Sequence, residues 1–395
     1  SGATGVLLGG ARGASSIGTG AAPLRSARTE AMSVVVDADS QPLRLGDLTL
    51  AATGQVLVAA GVQILAEGSG SAETLALTGD GAALRVNAGD GGLRRDGSRG
   101  ASGTLALPGA SASASDTATR LAGGHLSLDS SLGTTLDSST RLDSQALSLG
   151  GIRVQVGSSG QRPDDGTLVL DGALLAAANA SRQLTLRGVR GIDLLGGSVL
   201  GSATTDSLTL DTPWLQWRAG AGTVAQASGQ RLQLRNTGAG PQDGEPVPVV
   251  EGSLLQLQAA GSTLTVGPGA VRVAGAATVQ LQAGERLQLQ GDASLQVPDQ
   301  LRAIAPLVQG STGGQATLDA AGSLVLQGAP GASPPAGTTL GAPLAAPLGA
   351  SVTLQGADVR VGNTVQLPSG RLRLQARSGD VRLDAGADLQ LAGTT

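Results

Sequence analysis

The chain has no cysteine, no phenylalanine and no tyrosine, and only one histidine, one methionine and two tryptophans in 395 residues. Lysine is missing as well, so arginine supplies every positive side chain. Each absence excludes something. Without cysteine there is no disulfide framework and no thiolate metal site. With His125 alone, no zinc site of the His/Cys kind can be assembled, and the residue reads as an outward strand position. Globular cores draw much of their burial from large aromatic rings. Here the apolar mass is Leu, Val and Ala, which predicts a narrow core filled by medium-sized aliphatic side chains.

Charge is scarce too. Charged residues make up 14% and the net charge is −4, which leaves no basic footprint for nucleic acid. No apolar run approaches the eighteen or so residues of a spanning helix, so no membrane span is expected within the chain. Hydrophobic residues at 40% argue against disorder. Glycine is abundant, at 63 residues, but not at every third position as collagen requires.

What the chain has is a repeat. An apolar-x-apolar triplet recurs at Leu255/Leu257, Leu264/Val266, Val271/Val273, Val279/Leu281, Leu287/Leu289 and Leu295/Val297, in steps of 7 to 9 residues. It returns at Val352/Leu354, Val359/Val361, Val365/Leu367, Leu372/Leu374, Val381/Leu383 and Leu389/Leu391, and earlier at Leu43/Leu45, Leu48/Leu50, Val56/Val58 and Val62/Ile64. Period two is the strand signature: the two apolar residues share one face and the residue between them takes the other. The middle residues include Arg44, Thr49, Arg85, Gln233, Gln288, Arg373 and Gln390, which predicts one core face and one wet face. Gly-Asp and Ala-Gly pairs between triplets supply sharp corners.

Short strands with a corner every eight residues or so suit an elongated, all-β helix better than a sandwich. Two architectures share the pattern. The expected one is a triple-stranded, intertwined trimer, in which three chains wind round a common axis. In the other, a single chain winds a right-handed β-solenoid with three triplets per rung of some 20–24 residues. Residues 171–180 (DGALLAAANA) have room for one short turn of helix.

The stretch RLRLQARSGDVRLDAGADLQL at 371–391 resembles the β-helical ectodomain of the sarcoglycan family, and Leu255 to Val297 resembles triple-stranded needles of contractile phage tails. Those resemblances imply a trimer of identical or paralogous chains at a cell surface. The run LDAGADLQLAG is similar to filamentous-haemagglutinin-type adhesins, which implies a single-chain solenoid; such rungs are usually Asn-rich, whereas this chain has only Asn87, Asn179, Asn236 and Asn363.

The expected organisation is an irregular arm at 1–30, β-helix at 31–96, a loop insertion at 97–120 and β-helix at 121–327 with loops at 157–167 and 236–248. A Gly/Ala/Pro-rich loop at 328–350 and a C-terminal β-helix at 351–395 follow. The expected function is structural and not enzymatic: a rigid stalk at a cell, cilium or virion surface, extracellular, without cofactors. The alternative is an adhesin that binds a surface protein or glycan.

Candidate chemistry is thin. Trp214 and Trp217, in PWLQW, are the candidate partner contact, or fill a wider point in the core. Asp164-Asp165 after Arg162-Pro163 reads as a turn, although clustered Asp serves acid–base work in some β-helical hydrolases. Residues 79–92 (GDGAALRVNAGDGG) read as two tight corners, not a calcium loop, since Asp80 and Asp90 lack further acids. Asp37-Ala38-Asp39 reads the same way, and Asn179-Ala180-Ser181 is the one glycosylation sequon.

Overall fold

The structure, a computed structural model, describes all residues except 1–5, 9, 14–24, 30–31, 38–40, 110–117, 159–162, 164, 219, 240–246, 329–346 and 394–395; of residues 1–31 it describes the backbone only. The described residues are all-β apart from one helix, Gly172–Ala180, and most strand pairs are parallel. Two units divide the chain, Ser1–Ile192 and Asp193–Thr395.

In the second unit the strands stack in parallel, coil upon coil. From Thr263 onward the partners lie 20 to 24 residues apart wherever no insertion intervenes. A full coil contributes one strand to each of three stacks in turn. One stack runs Val224–Gly229, Val250–Ala259, Ala276–Ala283, Gln300–Ile304, Leu324–Gln327, Val359–Gly362 and Val381–Leu383. A second runs Ser207–Asp211, Arg231–Arg235, Thr263–Val266, Arg286–Leu289, Leu307–Gly310, Thr364–Gln366 and Asp388–Gln390. The third runs Trp214–Arg218, Gly269–Ala274, Ala293–Val297, Gln315–Ala320, Ser351–Gly356 and Arg371–Ala376. The triplets make the core: Leu255, Leu257, Leu264, Val266, Val279 and Leu295 are fully buried. In-register pairing keeps every apolar pair above the next, since a one-residue slip would turn the whole set outward.

Among the described residues two coils each lack one strand of the three. After Arg231–Arg235 the chain passes residues 236–249, and Trp214–Arg218 pairs directly with Gly269–Ala274. After Leu324–Gln327 it passes residues 328–350, and Leu307–Gly310 pairs directly with Thr364–Gln366. An asparagine stands at each joint. The Asn236 Nδ2 donates to the Ala270 carbonyl at 3.0 Å, and the Asn363 Nδ2 donates to the Ala305 carbonyl at 3.0 Å. Most of 328–350 and the middle of 236–248 lie outside the described residues.

The first unit departs from the repeat. Ala82–Asn87 runs antiparallel between Asp47–Ala52 and Arg120–Ser130, although Leu48, Val86 and Leu126 still align, as do Leu50, Leu84 and Leu128. The reversal arises because the chain twice steps outside the stack, through Leu75–Thr78 and Leu93–Asp96, which pair with each other. These strands form a second layer over what would be the wet face. Thr49 and Arg85, expected on that face, are therefore buried, at 0% and 1% exposure. Two stretches expected outside the β-helix also hold strands. The arm at 1–30 contains strands Val6–Leu8, Gly10–Gly13 and Arg25–Thr29. The insertion at 97–120 contains Thr104–Leu107, whose Leu105 and Leu107 are buried between Gln55–Val58 and Gly133–Leu136. The short turn expected at 171–180 is a nine-residue helix, anchored by buried Leu174 and Ala178.

Candidate functional site

Outward positions of the second unit form ladders, because in-register parallel strands place equivalent side chains one strand spacing apart, roughly 4.8 Å. Along the third stack one column reads Trp214, Arg272, Gln296, Asp319, Gln355 and Gln375. Its first four members line a groove of about 550 Å³ together with Val247, Pro298 and Arg377. The groove lies beside the first omitted strand, with Val247 at the end of the 236–248 loop on its wall.

Trp214 is half-buried, and the Arg272 guanidinium lies 5.6 Å from its ring centroid, within cation–π range. The Arg272 Nε donates to the Gln296 Oε1 at 2.8 Å. Asp319 is ion-paired with Arg377, whose Nη1 also donates to the Ala320 carbonyl at 2.9 Å. The result is an apolar floor with a clamped arginine at one end and a neutralised pair at the other. Among the described lining residues the one carboxylate, Asp319, is already committed to Arg377.

The two tryptophans part company. Trp217 points inward and is fully buried, while Trp214 faces the groove. Trp217 stands in the strand bordering the omitted one, where the core loses inward residues and an indole has room. Gly275 permits that approach: its φ is +85°, and a Cβ there would meet the Trp217 carbonyl oxygen at 2.2 Å.

The remaining candidates are dispersed. His125 bonds through Nδ1 to the Asp90 carbonyl at 2.9 Å and through Nε2 to the Ser148 hydroxyl at 3.1 Å. Burial pushes its pKa down, more than the Asp90 contact raises it. Asp80 accepts the backbone N–H groups of Arg99, Gly100 and Ala101, a corner clasp. Asp165 accepts from the N–H and hydroxyl of Thr167, as a turn does; Asp164 lies outside the described residues, as do Ala38 and Asp39. Asn179 sits in the last turn of the helix, and Ser181 of its sequon is buried. Among the described residues no group of three His, Cys, Asp or Glu is placed to hold a metal, and no helix is long and apolar enough to cross a membrane.

A polar cluster that sequence reading missed lies under the second layer of the first unit. Arg85 clasps Asp47 with two bonds of 2.9 Å and donates to the Glu73 and Gly92 carbonyls. Asp129 accepts from Arg95 at 2.5 Å and from Arg187 at 2.9 Å. Burial alone would raise the Asp129 carboxyl, but the two guanidinium groups hold it below the usual carboxylate range. Every member is used in holding layers together, so the cluster reads as structural.

Comparison with protein-family models, curated proteins and solved structures finds no match to the chain.

Proposed function

We propose that the chain is a single-chain β-solenoid that serves as a surface scaffold and presents its outward ladders for binding, without a catalytic role. The observation that carries this reading is the in-register ladder closed within one chain, with partners a coil apart in all three stacks. Backbone groups paired within the same chain support a single-chain coil. The rung agrees with the 20–24 residues that three triplets require. The Trp214 column supports the binding role, because Trp and Arg are among the residue types enriched at binding hot spots. An extracellular or cell-surface location belongs to the same proposal, since scaffolds of this kind display loops and ladders to partners.

The rival is a stalk of three intertwined chains, of sarcoglycan or phage-needle type. It is favoured by the octad-like spacing of the triplets between Leu255 and Val297. Light scattering on the isolated chain separates the two. A mass of 38.4 kDa supports the single-chain scaffold, and three times that mass supports the trimer.

A further inference from the structure

The groove beside Trp214 has a chemistry that narrows its occupant. Arg272 is held from two sides, by the Trp214 ring and by the Gln296 amide oxygen. Both contacts leave its terminal amino groups without an acceptor among the described residues. The other groove cation, Arg377, is neutralised by Asp319. One unmatched positive charge therefore sits on an aromatic platform, pre-oriented as a fork for a planar carboxylate. Further along the column Gln296 and Asp319 offer both donor and acceptor atoms, the combination that hydroxyl groups satisfy. The column from Trp214 to Asp319 covers three strand spacings, roughly 14 Å. That length suits a short oligosaccharide better than one ring.

We propose that this groove binds a carboxylate-bearing saccharide. Trp214 and Arg272 hold an acidic sugar, the ring against the indole and the carboxylate on the guanidinium. Gln296 and the Asp319–Arg377 pair take hydroxyl groups of the next unit along the stack. Nucleic acid fits poorly, because Asp319 lies in the path of a phosphate chain and only one cation is unmatched. The proposal rests on the scaffold reading, in which this face is open to solvent.

The test is calorimetric titration of the intact chain with a galacturonic-acid tetrasaccharide, a neutral tetrasaccharide of glucose and a short poly-glutamate peptide. The acidic sugar is expected to bind about tenfold or more tightly than either control. Arg272→Gln and Trp214→Ala should each weaken it by a similar factor, while Arg272→Lys, which keeps the charge and loses the fork, falls between. Asp319→Asn should keep or strengthen binding by freeing Arg377. Each variant is checked for unchanged β-type circular dichroism; if Trp214→Ala fails that check, the two Arg272 variants decide. Equal binding of the neutral sugar or the peptide, no binding, or indifference to Arg272→Gln overturns the proposal. Solution mass keeps the two readings apart: a monomer that does not bind defeats the groove alone, and a trimer defeats the scaffold reading whether or not it binds.

Discussion

The Asn363 amide reaches the Ala305 carbonyl at 3.0 Å across 58 residues of chain. The bond joins two corners that become neighbours because Leu307–Gly310 pairs directly with Thr364–Gln366. Asn363 is buried, so removing its amide leaves the Ala305 carbonyl without this partner. Asn363→Ala is expected to cost about 1–3 kcal/mol, read as a lowered denaturant midpoint with an unchanged slope. A neutral result would mean that the joint is held by the backbone ladder alone.

The core beside the first omitted strand depends on Trp217. Its indole is fully buried, with the Nε1 lacking a partner. Trp217→Ala should cost about 3–5 kcal/mol through the cavity it leaves. Trp217→Phe keeps most of the volume and removes the unsatisfied donor, so it should cost less than about 1.5 kcal/mol. Gly275→Ala, which forces a side chain onto a left-handed position against the Trp217 carbonyl, should cost about 1–3 kcal/mol. Thermal melts of the three variants rank them, and a Phe variant as damaged as the Ala variant would contradict the volume argument.

How much of this was legible in the sequence differs between the units. In the second, the triplets mark both the buried pairs and the outward residues: Leu287 and Leu289 are inside, and Gln288 between them is half-exposed. The rung was harder to see, because the omitted strands at 236–248 and 328–350 shift the count between coils. Arg272, Gln296 and Asp319 each look like any other residue between two apolar ones, and only multiplying the triplet step by three stacks them. In the first unit Arg85 looks like any outward residue between Leu84 and Val86. Its burial depends on the layer formed by Leu75–Thr78 and Leu93–Asp96, and no local pattern reports a strand lying over another strand. Asparagine is scarce, yet Asn87, Asn236 and Asn363 each latch a corner or joint.

Asp129 makes the first unit sensitive to acid. Its pKa is lowered in the folded chain, so its stabilising contribution is complete above the ordinary carboxylate value and fades as the pH falls through the folded one. Asp129→Asn strands two arginines and should cost about 3–5 kcal/mol at neutral pH. The gap between wild type and variant should narrow below about pH 4. A gap independent of pH would show that the carboxylate charge is not what matters.

Whole coils should be removable. Residues 286–306 run from Arg286 to the residue before Leu307, its partner in the next coil. Deleting them joins Glu285 to Leu307 and brings Thr263–Val266 against Leu307–Gly310. The shortened chain is expected to fold, with β-type circular dichroism and one cooperative melt a few degrees lower. Loss of all folded signal would count against a stack of interchangeable coils.

The most direct test of the single-chain coil is a cross-link between adjacent rungs. Gln280 and Arg302 are in-register partners, and both reach the surface. The chain has no cysteine, so Gln280→Cys with Arg302→Cys introduces the only two thiols. Treated with a short bis-maleimide and run on a denaturing gel, the double variant should carry its cross-link within one chain and migrate as a 38.4 kDa species. Efficient coupling into covalent dimers and trimers would place the neighbouring strand on another chain and contradict the account.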